Sequence, residues 1–366
     1  MLKYDYLVVG AGFAGSVIAE RLASQLNKKV LIIDKRDHIG GNCFDCYDKS
    51  GVLIHKYGAH LFHTDKKEVF DYLSKFAKWH KYEHKVKACL KDVIYDMPIN
   101  LNTINKFFGK DFDQKECKKY LDEIKVKIKK PKNAEEQVVS QVGWEIYESF
   151  FKNYTIKQWE RHPKKLDALV TARVPIRLNT DDRYFEDPYQ FMPKYGFTDL
   201  FKRILKHKNI EIKLKTDFKK IKDKIDYKTL IYTGCIDDFF EKKFGALPYR
   251  SLKFKFKNYN QPFYQDYTVI NFPNEHKYTK AVEIKHATKQ KIDKTTVGYE
   301  YPSRTGEQYY PVFEPKNQKL YNQYFKLASK LKNVYFIGRL AEYKYYDMDD
   351  VIFSSLNLFK KLKNKV

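Results

Sequence analysis

Three glycines at fixed spacing between two apolar runs constrain this chain more than any other feature. Tyr4–Val9 is short and apolar and runs straight into Gly10-Ala11-Gly12-Phe13-Ala14-Gly15. An amphipathic stretch from Ser16 to Leu26 follows, then a second apolar run, Lys29 to Ile33, ending on Asp34. Strand, glycine turn, helix, strand and acid, in that order, make a dinucleotide-binding βαβ unit. Gly10 permits the tight turn, Gly12 leaves room for a pyrophosphate, and Gly15 lets helix and strand approach. The helix start offers unpaired N–H groups and partial positive charge, which points the backbone of Phe13, Ala14 and Gly15 at phosphate. Asp34 stands where a carboxylate can bind ribose hydroxyls.

The residues just beyond decide between dinucleotides. Asp34-Lys35-Arg36-Asp37-His38-Ile39-Gly40-Gly41-Asn42 sets basic residues and a Gly-Gly turn after the acid. This resembles the glutathione-reductase-like FAD family, in which that turn closes over the pyrophosphate and the ribityl chain. The resemblance implies FAD, with Lys35, Gly41 and Asn42 among its contacts.

The rest of the chain changes grammar twice. Residues from about 105 to 172 carry helical spacing, broken by a turn at Lys129-Lys130-Pro131-Lys132 before a helix from Ala134 to Val142. Leu252–Lys257 (LKFKFK) and Tyr267–Phe272 alternate every second residue, as antiparallel strands do. Val334–Ile337 then reads as a strand, Gly338 as a turn and Met348–Leu362 as a helix. A chain that leaves a nucleotide-binding unit and returns to it predicts an α/β protein with α+β inserts. We expect a discontinuous Rossmann-like FAD-binding domain (1–75, 191–246 and 318–366) with an inserted helical subdomain (96–175). An antiparallel β-sheet domain (76–95, 176–190 and 247–317) completes the expected arrangement.

Charge and cysteine usage limit the partners. The net charge of +24 favours anions, but lysine is spread along the whole chain, so a solubilising role accounts for most of it and nucleic acid is not expected. Cys43 and Cys46 form a lone C-x-x-C with no second pair or spaced histidines, so no metal is expected. No window of about 18 apolar residues exists, so no membrane span is expected. The first residues lead directly into the fold motif, leaving no room for a signal peptide; a cytoplasmic protein with reduced thiols is expected.

Ten further segments carry a more specific resemblance. They are HKYGAHLFHT (55–64), YDMPINLNT (95–103), NYTIKQW (153–159), RVPIR (173–177), DDRYFED (181–187) and YTGCIDDFF (232–240), followed by FGALPYRSLKF (244–254), VINF (269–272), YYPV (309–312) and GRLAEYKYYDM (338–348). Order and coverage together resemble the bacterial UDP-galactopyranose mutase family. The resemblance implies a reduced FAD whose N5 attacks the anomeric carbon of a nucleotide sugar, so that UDP-galactopyranose and UDP-galactofuranose interconvert without net redox change. It also implies a homodimer and a role in cell-surface polysaccharide synthesis.

By the same resemblance, Arg173 is the first arginine of a diphosphate clamp, and Lys280 stands where the family has the second. Lysine keeps the charge and loses the bidentate fork, which leaves UDP-arabinopyranose and dTDP-fucopyranose open as substrates. Tyr184, Tyr310 and Tyr345 match diphosphate-contacting phenols, and Asp347 matches an acid near them, equally readable as a helix N-cap. Tyr154, Thr155 and Trp159 fall near the uridine and diphosphate, although an isolated Trp on a helix is as readily core. Phe185 and Asn271 match the uridine pocket. His60 and His63 fall by the flavin and the sugar, with His63 able to give a hydrogen bond to a sugar hydroxyl, and His84 falls near the sugar. Gly338, Arg339, Tyr346 and Met348 match the flavin's edge, and Arg250 is placed near FAD; either arginine could instead pair with a carboxylate.

Two other classes share parts of this pattern. An FAD oxidoreductase of amine-oxidase type shares the glycine turn but leaves the central arginine–tyrosine set unexplained. A basic binding protein without catalysis shares only the charge.

Overall fold

The computed structural model describes residues 3–172 and 174–364. A five-stranded parallel sheet is built from Ile210–Lys213, Val30–Ile33, Tyr4–Val9, Tyr227–Tyr232 and Val334–Phe336, in that spatial order. Its strands come from the beginning, middle and end of the chain. The central strand, Tyr4–Val9, pairs with Val30–Ile33 on one side and Tyr227–Tyr232 on the other. Leu7, Val8, Leu31, Ile32 and Ile231 are fully buried, as strands covered on both faces require.

The first helix runs from Phe13 to Leu26, three residues earlier than the amphipathic pattern suggests. Phe13 explains the shift: its ring is buried 4.5 Å from Phe201, so the first turn is anchored in the core as well as pointed at the turn. The last helix, Met348–Lys363, packs along this first one, and Ser355 donates to the Ala14 carbonyl at 3.2 Å.

A second sheet holds seven strands, among them Tyr249–Tyr259, Thr295–Ser303, Lys280–Val282, Val269–Asn271 and Val86–Leu90, in that order. Its longest pair, Tyr249–Tyr259 with Thr295–Ser303, is antiparallel, and Lys253, Lys255 and Lys257 alternate with Leu252, Phe254 and Phe256 as the sequence predicts. One junction differs from expectation: Val269–Asn271 runs parallel to Val86–Leu90. The two strands are far apart in sequence and no hairpin dictates their direction. A third, small sheet is made of Phe62–Thr64, Tyr189–Pro193 and Trp79–Lys81, with Tyr189–Pro193 in the middle. The helical stretch contains Leu101–Phe108, Gln114–Ile124, Ala134–Ile146 and Asn153–Trp159, with an i→i+5 segment, Tyr147–Lys152, between the last two. Among the described residues no helix is long and apolar enough to cross a membrane.

The glycine turn is sterically saturated. A Cβ at Gly15 would lie 1.9 Å from the Gly10 carbonyl oxygen, and one at Gly10 (φ +107°) 2.0 Å from Thr233 Oγ1. Gly15→Ala must therefore push the helix off the strand. Overpacking of this kind costs roughly 1–3 kcal/mol, so a scanning-calorimetry midpoint lower by on the order of 5 °C is expected; an unchanged midpoint would contradict this packing.

Candidate functional site

Beside the glycine turn three segments of the chain meet at glycines. Gly12 and Gly41 touch: a Cβ on Gly41 would sit 2.9 Å from the Gly12 Cα. Gly338 (φ +92°) closes a third side, where a Cβ would meet the Ala14 Cβ at 3.0 Å. Asp34 accepts the Ala11 N–H at 2.8 Å and the Arg36 N–H at 2.9 Å, which ties turn and acid together. Asn42 accepts from Arg36 at 2.9 Å, and Lys35 is exposed. At the far end Met348 Sδ accepts from the buried Cys43 thiol at 3.5 Å, and Arg339 donates to the Tyr346 carbonyl at 2.8 Å. The first intrahelical bond is from Ser16 to Gly12, so the N–H groups of Phe13, Ala14 and Gly15 are left for a ligand. These residues fit FAD: bare backbone and unbonded N–H groups where phosphate must approach, and a carboxylate at the end of the second strand.

A second group of expected residues gathers on one face of the seven-stranded sheet. Asn271 pairs with Lys280, and Lys280 with Glu300, across three neighbouring strands. The Lys280 Nζ lies 3.7 Å from a carboxylate oxygen of Glu300, while 33 % of its side chain stays open to the cleft and so within reach of a ligand. Glu300, with the surrounding phenols, holds the Lys280 pKa well above its usual value, so the ammonium keeps its charge at any working pH. Burial pushes the Tyr154 phenol up to about 12 and raises Tyr310 further. Both remain neutral donors beside the cation.

The helix Asn153–Trp159 faces this row. Tyr154, Thr155, Trp159, Tyr184 and Asn271 line one cavity of about 90 Å³. Its polar wall includes the Asn271 Oδ1 atom, buried and without a hydrogen-bond partner among the described residues. Such an oxygen needs a donor, and an N–H on the edge of a base supplies one. Trp159 is buried in an apolar cluster with Ala134, Leu166, Tyr309 and Tyr310, its ring 5.8 Å from Tyr310 and 6.1 Å from Tyr345. It is thus core and cavity wall at once. Asp347 is the N-cap of the last helix, where its N–H donates to Asp350 at 3.2 Å.

Three residues not singled out by sequence hold this arrangement. Gln158 donates to the Tyr310 hydroxyl, which leaves the phenol's own hydrogen for another acceptor. Lys157 donates to the carbonyls of Phe272, His276 and Tyr278, and so fastens the hairpin between Asn271 and Lys280 to the helix. Glu300 gives no sequence signal, because its role exists only once strand register places it beside Lys280.

The histidines form a separate end of the cleft. His63 stacks on Phe185 with ring centroids 3.5 Å apart, and His84 lies 5.9 Å from the same ring. Burial depresses His84 to about 3, as it does His55 and His60. His60 faces the Gly58 carbonyl at 2.9 Å through Nδ1.

A larger cavity of about 350 Å³ lies elsewhere, lined by Trp159, Arg161, Arg250, Arg304, Asp237 and Gln308 among others. Its arginines are already paired: Arg161 with Glu314 at 3.1 Å, Arg250 with Glu160 at 3.3 Å, and Arg304 with Glu160. Of the expected residues it holds only Trp159 and Arg250, and the carboxylate pairing open to Arg250 is the one it adopts. Size therefore does not choose between the cavities: the expected residues Tyr154, Thr155, Tyr184 and Asn271 line the smaller one, and Lys280 stands opposite its Asn271 on the neighbouring strand. Arg173, the other expected cation, lies outside the described residues.

Comparisons with known proteins bear on the family and the fold. A family model described as UDP-galactopyranose mutase matches residues 149–345, and one for an NAD(P)-binding Rossmann-like domain matches residues 8–76. A probable UDP-galactopyranose mutase of Klebsiella pneumoniae is 40 % identical over 97 % of this chain and 94 % of its own length.

This chain belongs to the UDP-galactopyranose mutase family.

A dTDP-fucopyranose mutase of Escherichia coli is 38 % identical over 94 % of both chains, so membership fixes the ring-form interconversion and not the sugar. A crystal structure of reduced UDP-galactopyranose mutase has the same fold, with a TM-score of 0.81 over 100 % of this chain and 95 % of that one at 16 % identity. The protein is therefore a pyranose–furanose mutase, an isomerase built on a Rossmann-type domain.

The buried histidines predict acid sensitivity of this mutase. A histidine held at about 3 in the fold and near 6.5 when unfolded binds more protons in the unfolded state between those values. Their stabilising contribution is fully present above pH 6.5 and is lost as pH falls, at up to about 1.4 kcal/mol per unit for each histidine. Urea unfolding at pH 7, 6 and 5 should show this decline, and His84→Gln should reduce its slope by about one histidine's share. A slope that His84→Gln leaves untouched would contradict the burial of His84.

Proposed function

We propose that the protein interconverts UDP-galactopyranose and UDP-galactofuranose with reduced FAD. The observation that carries this reading is the row Asn271–Lys280–Glu300, which sets a persistent positive charge beside a base-sized cavity. A nucleoside diphosphate presents a base edge and an anion in that order. In this reading Asn271, Phe185, Tyr154, Thr155 and Trp159 receive the nucleoside. Lys280, Arg173, Tyr184, Tyr310 and Tyr345 hold the diphosphate before and after the C1–O bond opens. His63 and His84 face the sugar, and Asp347 supports the phenols as a cap.

FAD would be held by Gly10, Gly12, Phe13, Ala14, Gly15, Asp34, Lys35, Gly41, Asn42 and His60, and at its flavin end by Gly338, Arg339, Tyr346 and Met348, with Arg250 in outer support. When bound and reduced it would supply a nucleophile for the anomeric carbon. The chain's own work is to keep the departing UDP in place, through charge and neutral phenol donors that cost no reorganisation. A homodimer in the cytoplasm, where reductant is available, suits this reading, and the five cysteines are all free thiols.

A second substrate remains in view. The 38 % identity to a dTDP-fucopyranose mutase and the lysine at position 280 both favour testing dTDP-fucopyranose and UDP-arabinopyranose beside UDP-galactose.

Dithionite-reduced protein incubated with these three sugars and analysed by HPLC decides the matter. The expected result is furanose product from UDP-galactose, with reductant not consumed in proportion. Oxidised products, or furanose from another sugar alone, would overturn the reading. Arg173→Ala is expected to lower turnover by roughly a hundredfold or more while FAD stays bound, because two charge-assisted hydrogen bonds of about 1.5–3 kcal/mol each are lost. Retained activity would remove Arg173 from the clamp.

A further inference from the structure

The histidine end of the cleft contains a side-chain pair that the ring-form reaction does not by itself explain. His63 Nδ1 lies 2.8 Å from Asp187 Oδ2. Asp187 comes from the segment before strand Tyr189–Pro193, and that strand pairs with Phe62–Thr64 so that His63 stands opposite Gln190. Gln190 is buried and donates to the carbonyls of Phe185 at 3.1 Å and Asp187 at 3.0 Å. One short turn therefore carries both the ring that His63 lies flat upon, at 15° between planes, and the carboxylate that fixes its rotation.

An ionised carboxylate only accepts, so the hydrogen between the two residues belongs to His63 Nδ1. In the neutral ring Nε2 is then a bare acceptor, and no described residue hydrogen-bonds to it. The side chain is 14 % accessible, which is enough for a ligand group to reach that nitrogen. Its neighbours are Phe185, His84 and, beyond His84, Lys280, whose charge helps to depress the His84 pKa after burial. Asp187 itself is one-quarter accessible, and its hydrogen-bonding oxygen is taken up by the ring.

We propose that Asp187 is a positioning residue that fixes His63 as its Nδ1–H tautomer, so that Nε2 accepts a hydrogen bond from a hydroxyl of the substrate's sugar. This rests on the mutase reading and reverses the sense of the bond expected from sequence: His63 receives it through Nε2. A hydroxyl that must become the new ring oxygen needs an acceptor at a fixed point, and the Asp187 contact sets both the point and the lone pair's direction.

Two measurements test this on the FAD-loaded full chain. ¹⁵N-histidine NMR, with His63 assigned by the signal missing in His63→Gln, should show a protonated Nδ1 and an unprotonated Nε2. In Asp187→Asn the amide can either donate to or accept from Nδ1, so that signature should become mixed, and kcat with UDP-galactose should fall at least about tenfold with KM little changed. Asp187→Glu should recover part of the loss, and Asp187→Asn should cost nothing further in the His63→Gln background. An Nε2–H tautomer in the unmutated protein, unchanged kcat in Asp187→Asn, or an equal loss in both backgrounds would overturn the proposal. A protein inactive on every nucleotide sugar would sink the functional reading, while the NMR signature would still decide the role of Asp187.

Discussion

The cleft depends on one cross-strand pair. Lys280 and Glu300 face each other because Lys280–Val282 and Thr295–Ser303 are in a single register. A slip of one residue would turn Lys280 to the outer face and bring Ala281 into its place. The carboxylate keeps the lysine charged in a setting lined with phenols, where an unpaired ammonium would be costly to bury. A diphosphate entering that cleft meets a positive charge already held in place beside a carboxylate.

The nucleotide crevice is constrained differently, by the absence of side chains. Gly12 against Gly41 and Gly338 against Ala14 leave only backbone where the cofactor must pass. The chain reaches this point three times, at the first turn, at the Gly-Gly turn and at the end of strand Val334–Phe336. Packing of the last helix along the first brings Gly338 and Met348, from the end of the chain, to the glycine turn at its start.

Local patterns made much of this legible. The strand–turn–helix–strand opening, the alternation of Leu252–Lys257 and the final helix all follow from period and glycine placement. The parallel junction between Val269–Asn271 and Val86–Leu90 does not, because strand direction there is set by packing between distant segments. The same holds for the support of the site. Gln158 behind Tyr310, Lys157 under the hairpin carbonyls, Glu300 beside Lys280 and Asp187 beside His63 are all joined across long sequence separations. The residues that face the ligand belong to motifs, whereas those that orient them are ordinary until the fold brings them together. Arg250 teaches the converse: a basic residue in a motif is taken up by Glu160 as readily as by a ligand.

Which cavity receives the nucleotide is tested most directly by a crystal structure of the FAD-loaded protein with UDP. The uracil edge is expected against Asn271 and the diphosphate within hydrogen-bonding distance of Lys280 and the Tyr310 hydroxyl. A nucleotide seated instead among Arg161, Arg250 and Arg304, with Lys280 still turned to Glu300 alone, would contradict that placement.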